Sequence, residues 1–337
     1  MASPPTSRVC WVERKPRSLG NFSIETSYRS MRNAWPEGEG QPDQYTVSRF
    51  TTGLLDRLHI WREVGRLQHD LLHITGDIHF AAIGRSRPLV LTVHDLGMLD
   101  EGPTWKRRLK KWLWLTWPLR SCDHLIAVSD ATKADLLRRT DFPADRIEVI
   151  PSVISPAYRR RNAPPTNETP VILHIGLADN KNLDGHAKAL EGMQVHLRII
   201  GEPSVAQKDM LRRRGLDFSW ASRLSEGELQ REYAAADLLL FCSTLEGYGM
   251  PIIEAQTVGV PVITSDRHPM LATAGGAAEL VNPDNTDHIR KAVQRVLNDA
   301  ERREDLIGRG HHNAAACSAH ASAAAHAALY GRILAGL

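Results

Sequence analysis

The chain has 337 residues, which corresponds to roughly two domains at about 150 residues each. Hydrophobic residues make up 42% and charged residues 24% of the sequence, which excludes a disordered tail, a collagen-like fibre and a small disulfide scaffold. The net charge of +3 argues against a general nucleic-acid binder, which would carry a strongly basic stripe. The four cysteines are far apart in sequence and show no zinc-binding spacing.

The charge is divided unevenly along the chain. Residues 1–161 carry 25 basic against 18 acidic side chains, a net charge of +7, whereas residues 162–337 carry 17 against 21, a net charge of −4. No apolar leader segment follows Met1, and no apolar run approaches the ~20 residues that a membrane span needs. We therefore expect a cytoplasmic protein, and the basic half leaves room for a peripheral location on the inner face of the membrane.

The first half of the sequence alternates apolar strands with helices. Strands are predicted over residues 9–12, 45–50, 71–74, 88–93, 125–128 and 147–150. Helices are predicted from about Ser23, over 104–119 and over 130–139. The stretch 158–169 is rich in proline and polar residues and has no apolar periodicity, so we interpret it as a linker.

The second half repeats the alternation. Strands are predicted over 171–175, 195–200, 238–241 and 261–264, and helices over 183–191, 205–214, 225–235, 251–258 and 286–298, followed by an alanine-rich helical tail. Short buried strands alternating with helices indicate parallel sheets covered on both faces. The fold class is therefore α/β, with two doubly wound domains, and ligands are expected beyond the carboxyl ends of the strands, in the cleft that two such domains form.

The most informative stretch runs from Phe241 to Asp266. A buried strand ends at Phe241, a loop with two glycines follows, and Pro251 suits the first turn of the next helix. A strand–loop–helix unit of this kind directs backbone N–H groups and the positive helix end at the strand tip, where a phosphate or a polar sugar edge can bind. Glu246 and Glu254 flank that turn and supply hydrogen-bond acceptors for hydroxyl groups. A plainer interpretation makes them a surface cap and a partner of the helix dipole.

This stretch resembles the signature of a known family. The pattern E-G-Y-G-M-P-x-x-E-A-x-x-x-G-x-P-V, which begins at Glu246, is similar to that of retaining nucleotide-sugar glycosyltransferases of the GT-B fold, family 4, also called group 1. The glycine of Ile175-Gly176 with Asn180-Lys181-Asn182, and Thr92-Val-His94-Asp95, resemble further segments of that family, including mannosyltransferase-type members. The resemblance covers most of the chain. It implies an N-terminal acceptor domain over 1–157, a nucleotide-sugar domain over 170–314, and a C-terminal helix over 315–337 that packs back on the first domain.

The resemblance also implies roles for individual residues. Glu254 would bind the ribose hydroxyls, Glu246 would contact the donor sugar, and Lys181, beside Gly176, would neutralise the diphosphate leaving group. The backbone of Gly247, Tyr248, Gly249 and Met250 would hold sugar hydroxyls and phosphate, and His94 would reach the sugar from the first domain. His94, Glu246 and Lys181 are thus the expected catalytic residues. Many members carry an arginine near the lysine, where this chain has Leu177 and Asn180.

The implied activity is the retaining transfer of a hexose from a GDP- or UDP-linked sugar to an acceptor hydroxyl, in polysaccharide or glycolipid biosynthesis. The expected partners are the nucleotide sugar and a glycan, lipid-linked or small-molecule acceptor, with no nucleic acid. No covalently bound cofactor is expected, and no D-x-D pair follows an apolar strand at the expected position, which favours a metal-independent enzyme. Two alternatives stay open: a nucleotide-sugar epimerase or phosphorylase on the same fold, and a non-catalytic partner of another glycosyltransferase.

One segment of the basic half is unusual, the tryptophan-rich run 105–117. At helical spacing, Trp114 falls on the basic side with Lys110 and Lys111. A basic helix with an exposed tryptophan suits a membrane interface or an anionic acceptor. The alternative, which the pattern favours slightly, is an ordinary amphipathic helix whose Trp114 packs under a neighbouring element.

Overall fold

The chain folds into two compact units. The computed structural model describes residues 9–15, 23–86, 88–94, 96, 99, 108 and 111–336. Unit 1 comprises Met1–Val153 together with Ser318–Leu337, and unit 2 comprises Ile154–Cys317. The expected linker 158–169 therefore lies inside unit 2, and the C-terminal helix lies in unit 1.

Each unit contains a six-stranded parallel sheet. In unit 1 the strands are β1 (Val9–Glu13), β2 (Asp43–Thr46), β3 (Leu71–Ile74), β4 (Leu89–Val93), β5 (His124–Ala127) and β6 (Ile147–Val149), in the order β2-β1-β3-β4-β5-β6. In unit 2 they are β7 (Val171–Ile175), β8 (His196–Ile200), β9 (Asp217–Ala221), β10 (Leu238–Phe241), β11 (Val262–Ser265) and β12 (Glu279–Val281), in the order β12-β11-β10-β7-β8-β9. The predicted α/β class with parallel sheets is confirmed in both units.

Helices connect the strands. In unit 1 they are α1 (Ser23–Asn33), α2 (Leu54–Gly65) and α3 (Asp130–Arg139). In unit 2 they are α4 (Leu183–Leu190), α5 (Val205–Arg213), α6 (Glu226–Ala235), α7 (Met250–Val258), α8 (Met270–Thr273), α9 (Thr286–Asn298) and α10 (Ala300–Ala316), and α11 (Ala319–Ala335) returns to unit 1. Capping boxes fix the N-termini of two of these helices. Ser204 and Gln207 cap α5, and Ser225 and Glu228 cap α6.

Alternate strand residues enter two different cores, so both faces of each sheet are buried. In unit 2, Leu238 and Leu240 belong to one cluster with α4 and α9, whereas Leu239 and Phe241 belong to the other with α7. In unit 1, Trp11 packs with α1 and α11, whereas Cys10 and Val12 face the opposite side. This two-sided burial is the reason why the strands read as continuous apolar runs in the sequence.

Several elements differ from the predictions. The second strand was expected over 45–50, but β2 ends at Thr46. Helix α2, the strands β9 and β12, and most of α10 were not predicted. Helix α2 begins with Leu54 and Leu55 exposed to solvent, and β9 is an edge strand with a half-exposed pattern, so neither shows the apolar periodicity on which the prediction depended.

The C-terminal helix is held in unit 1 by buried polar contacts. The Trp11 indole donates to the Tyr330 hydroxyl at 2.8 Å, and that hydroxyl lies 2.5 Å from His73 Nδ1. Because the indole N–H can only donate, the Tyr330 hydroxyl accepts from it; a neutral His73 donates through one ring nitrogen and accepts through the other, and its Nε2 lies 2.7 Å from the Thr92 hydroxyl. Burial lowers the pKa of His73 well below its usual value, in keeping with this neutral arrangement.

Replacing Tyr330 by phenylalanine tests this attachment. Y330F leaves the Trp11 N–H and His73 Nδ1 without their shared partner inside the core, so we expect a loss of about 1–3 kcal/mol in the free energy of unfolding. Urea unfolding followed by tryptophan fluorescence measures it. Y45F is the control, since it also deletes a hydroxyl of unit 1 but at a half-buried site bonded to Glu63, and its loss should be less than about 1 kcal/mol. Equal losses for the two variants would contradict the assignment.

Candidate active site

The predicted signature forms a strand–loop–helix unit at the end of β10. Gly249, directly before α7, has φ +95°, and a Cβ there would lie 3.2 Å from Ile252 Cδ1, so the position requires glycine. Pro251 occupies the first turn of α7. Thr273 donates to the Tyr248 carbonyl at 2.5 Å and fixes the loop. Pro251 has no N–H and the Ile252 N–H donates to the Gly249 carbonyl at 2.9 Å, so the start of α7 offers its helix dipole and its remaining first-turn N–H groups to an anion or a sugar oxygen.

Lys181 and Glu246 meet at this tip. Lys181 Nζ lies 2.5 Å from Glu246 Oε1 and 4.9 Å from the centroid of the Phe241 ring, and both charged side chains are mostly buried. Gly176 has φ +88°, and a Cβ there would lie 3.0 Å from Lys181 Cε, so the glycine makes room for the lysine. The structure thus brings together three predicted residues that are up to 70 positions apart.

Asparagine side chains lock the two loops to each other. The Asn180 backbone carbonyl accepts from the Thr244 N–H at 2.8 Å, and the Asn180 side-chain amide donates to the Leu245 carbonyl at 2.7 Å. Asn182, in the left-handed conformation with φ +59°, donates to the Cys242 carbonyl at 3.2 Å. Asn180 therefore serves loop geometry at a position where many family members have a cation, and Lys181 is the cation that these two loops supply.

Glu254 is held by two tyrosines. Tyr233 donates to Glu254 Oε2 at 2.6 Å, and the Tyr158 ring packs edge-on against Tyr233 at 5.7 Å. Burial raises the pKa of Glu254 to about 7, and hydrogen bonds from Tyr233 and Tyr158 together with the Lys181 charge oppose that rise. Both protonation states of Glu254 are therefore populated near neutral pH.

A buried histidine pair lies under the glycine loop. His174 Nδ1 and His186 Nδ1 are 2.8 Å apart, the Cys242 N–H donates to His186 Nε2, and His174 Nε2 lies 2.7 Å from the Gly176 carbonyl. Burial lowers the pKa of His174 to about 4 and that of His186 well below its usual value, so both rings are neutral at physiological pH.

His94 lies in unit 1, at the carboxyl end of β4. Its Nε2 is 2.8 Å from the Thr75 carbonyl at the end of β3, so Nε2 carries the proton. Asp95, which follows it in the family-like segment, lies outside the described residues.

The tryptophan-rich segment follows the alternative that the pattern favours slightly, in which Trp114 packs against neighbouring elements. Lys110 lies outside the described residues, and Lys111 is exposed. Trp114 is half-buried, with the Arg57 guanidinium 5.2 Å from its ring and Phe80 edge-on at 5.9 Å, whereas Trp112 is 45% exposed. Residues Trp112–Thr116 form a π-helical turn, whose wider period shifts the faces that a 3.6-residue repeat predicts.

Some residues of the site were missed by the sequence reasoning. Tyr158 was placed in a linker, and Tyr233, although it belongs to a family-like helix, was given no role. His174 and His186 lie in apolar segments that predict only core packing. For Tyr158 the available signal was an aromatic residue beside a proline-rich run, which predicts burial rather than a contact with a carboxylate.

In the part of the chain that the structure describes, no group of three or more histidine, cysteine, aspartate or glutamate side chains is arranged to hold a metal ion. Among the described helices, none combines the length and apolar character needed to cross a membrane.

Comparison with known families agrees with this geometry. The profile of "Glycosyl transferases group 1" matches residues 156–312, and that of "Glycosyltransferase Family 4" matches residues 34–158. The two matches together span residues 34–312, which lie in both units and include Glu246 and Glu254. The chain therefore belongs to the GT-B glycosyltransferases that resemble family 4.

Individual relatives are distant. The O-antigen chain mannosyltransferase B of Escherichia coli is 28% identical over 57% of this chain and 56% of its own length. The match spans between about half and two thirds of the length of each of the first four curated relatives. Sucrose-phosphate synthase of Thermosynechococcus elongatus superimposes with a TM-score of 0.80 at 16% identity, covering 98% of this chain and 100% of that one. Anabaena HepE, solved with UDP-glucose, gives 0.75 at 16% identity over 98% and 100%. These structures share the GT-B fold.

Gly176 offers a test of how the loop positions Lys181. In G176A the new methyl group meets the lysine side chain, so we expect at least a tenfold loss of nucleotide-sugar affinity. G192A is a matched control, because Gly192 has a similar φ of +75° but nothing lies within 4 Å of its Cβ position. Both variants should lose about 1–2 kcal/mol of stability through the left-handed backbone, and only G176A should lose binding. Isothermal titration and urea unfolding separate the effects; equal binding losses would contradict the proposed contact.

Proposed function

We propose that this protein transfers a hexose from a nucleotide-diphosphate sugar to an acceptor hydroxyl, with retention of the anomeric configuration. The observation that carries the proposal is the convergence of Lys181, Glu246 and the N-terminus of α7 at one sheet edge, with Glu254 in the first turns of that helix. A cation, an uncapped helix start and two carboxylates suit a ligand that is anionic at one part and rich in hydroxyls at another.

Lys181 is the proposed partner of the donor diphosphate. Its ammonium group has three N–H donors, of which one serves Glu246, so it can bind a phosphate oxygen without giving up that contact. During transfer, negative charge grows on the departing diphosphate. A lysine that is already fixed by Glu246 and Phe241 stabilises that charge with little reorganisation, and the first N–H groups of α7 add to it.

Glu246 and Glu254 are the proposed acceptors of donor hydroxyls. Glu254, held by Tyr233 and Tyr158, receives the ribose, and Glu246 contacts the hexose. The backbone from Gly247 to Met250 holds further sugar and phosphate oxygens. His94, with its proton on Nε2, is proposed as the residue of unit 1 that contacts the sugar. Lys181 supplies the charge neutralisation in this proposal, without a metal ion.

The acceptor is proposed to belong to glycan or glycolipid assembly, because the relative from Escherichia coli is named an O-antigen chain mannosyltransferase. The donor is a GDP- or UDP-linked hexose in this proposal, and HepE, with its UDP-glucose complex, has the same fold. The acidic unit 2 holds the donor through a few placed groups rather than through net positive charge.

Loss of the Lys181 charge provides the first test. In K181M we expect nucleotide-sugar affinity to fall about tenfold and transfer to fall roughly 10²–10³-fold, because the lost charge acts mainly on the departing diphosphate. K208M is the matched control, since Lys208 is also a half-buried lysine of unit 2 over an aromatic ring, 4.2 Å from Trp220. Thermal shift with GDP- and UDP-sugars reports binding, and NMR of the product reports the anomeric configuration. No shift with any donor, an inverted product, or an epimer formed from donor alone would each contradict the proposal.

The raised pKa of Glu254 provides a second test. Only the carboxylate form accepts two hydroxyl donors, so donor affinity should rise as the pH increases through about 7, and E254Q should abolish that dependence.

In the unliganded protein, the stability of the fold should change with pH in the opposite direction. Because the folded pKa lies above the usual value, ionisation of Glu254 destabilises the fold as pH rises from about 5 to above 7, so E254Q should raise the melting temperature at pH 8 by about 2–5 °C more than at pH 5. A pH-independent affinity of the wild type would contradict the role of Glu254.

A further inference from the structure

Unit 1 contains a basic groove that the donor site does not use. It has a volume of about 350 Å³ and is lined by Arg14, Lys15, Arg49, Phe50, Thr51 and Thr52. Arg14 and Lys15 directly follow β1, and the other four follow β2, its parallel neighbour. The groove thus lies beyond the carboxyl ends of two adjacent strands, where open α/β sheets bind ligands.

The lining is one-sided in charge. Three of its six residues are cations, two carry hydroxyl groups, and none is a carboxylate. The nearest acidic partners are already engaged: Glu25 accepts from Arg14 Nε at 2.8 Å, and Asp56 accepts from Thr52 at 2.6 Å and from Arg49 at 3.3 Å. These carboxylates offset much of the charge of Arg14 and Arg49, whereas Lys15 contacts a carbonyl oxygen and an aromatic ring, so the groove presents N–H donors and the Lys15 charge to a ligand.

The cations of the groove are fixed in place. Arg14 is buried and is held by Glu25 and by Asp77, whose carboxylate lies 3.2 Å from Nη1. Lys15 Nζ donates to the Ser48 carbonyl at 3.1 Å and lies 4.8 Å from the centroid of the Phe50 ring. Cations that are already ordered lose little side-chain entropy on binding, so the groove is preorganised for an oxyanion.

Phe50 adds a different chemistry to the same groove. It is 43% exposed, and the Lys15 ammonium lies 4.8 Å from the centroid of its ring. The negative face of an aromatic ring attracts the partly positive C–H groups of a sugar ring. A cationic wall next to an exposed aromatic ring fits a sugar that carries a negative group.

We propose that this groove binds an anionic sugar unit of the acceptor, with its phosphate or carboxylate at Lys15 and Arg49 and its ring against Phe50. This inference rests on the proposed function, because the bound sugar is an acceptor only if the protein transfers a hexose. The position of the groove within unit 1 supports this proposal. Arg14 of the groove contacts Asp77, and His94 contacts Thr75, so the groove and His94 lie at the same edge of the sheet. In the order β2-β1-β3-β4, they are two to three strand spacings apart, ~10–15 Å, which an oligosaccharide can span.

Direct binding to the full-length chain tests the groove. The probes are a hexose 6-phosphate, a hexuronate, the neutral hexose and inorganic phosphate, each measured by isothermal titration at 50 and 300 mM NaCl. We expect at least one anionic sugar to bind tenfold or more tightly than both the neutral hexose and inorganic phosphate, with weaker binding at the higher salt concentration. Whichever anionic sugar binds identifies the oxyanion as phosphate or carboxylate. Equal binding of the neutral hexose, or of inorganic phosphate, would overturn the proposal.

Variants separate the groove from general surface charge. R49Q should weaken binding of the anionic sugar at least fivefold, whereas R138Q should leave it unchanged, because Arg138 is also an exposed arginine of unit 1 paired with one aspartate. F50A should weaken binding of the sugar and F50Y should preserve it. Equal effects of R49Q and R138Q, or none from R49Q, would overturn the proposal.

A parallel titration with GDP- and UDP-sugars distinguishes this inference from the proposed function. If the wild type binds a nucleotide sugar but no anionic sugar, the groove assignment fails while the proposed transfer stands. If it binds the anionic sugar at Arg49 but no nucleotide sugar, the proposed transfer fails while the anion site stands. Where a nucleotide sugar binds, R49Q should leave its affinity unchanged.

Discussion

The ion pair between Lys181 and Glu246 depends on the order of strands in the second sheet. β7 and β10 are neighbours, although more than sixty residues separate them in sequence, so the loops that follow them meet at one edge. The pairing keeps both groups charged in a mostly buried place, where an isolated ammonium would cost several kcal/mol. It also leaves the lysine with donors for a phosphate. The contact therefore joins loop geometry and charge with the proposed donor recognition, and Gly176 gives the lysine room, since a Cβ there would lie 3.0 Å from Lys181 Cε.

Glu254 shows how the same site lowers the stability of the fold. Glu254, in the second turn of α7, is half-buried beside Tyr233 and near the Lys181 charge, and its raised pKa records the cost of ionising it there. The two tyrosine hydroxyls recover part of that cost. Such an arrangement has little value for folding alone, and it is typical of a position kept for its chemistry. The polar network around Tyr330 in unit 1 is different, because its members satisfy one another and attach the last helix.

The sequence predicted the parts of the molecule whose pattern is local. Continuous apolar runs identified the central strands, and the spacing from Glu246 to Glu254 identified the strand–loop–helix unit, because buried strands and turn residues leave a signal within a few positions. Helix α2 and strand β9 were missed because their exposed faces carry leucine or tryptophan, which removes the contrast on which periodicity depends. Tyr158 could not be assigned, since its role arises from contact with residues some seventy-five or more positions away. The packing of Trp114 follows the interpretation that the pattern favoured, whereas the π-helical turn over Trp112–Thr116 was not predicted.

The histidine pair beneath the glycine loop shows why that loop is rigid. The Cys242 N–H can only donate, so His186 Nε2 accepts and its proton lies on Nδ1. That proton is directed at His174 Nδ1, and the remaining proton of His174 lies on Nε2, directed at the Gly176 carbonyl. Protonating either ring would place two donors face to face, so the chain of hydrogen bonds needs two neutral imidazoles. Burial enforces that state by lowering the pKa of His174 to about 4 and that of His186 well below its usual value. The backbone that admits Lys181 is thereby tied to the end of β10, independently of pH in the range where Glu254 titrates.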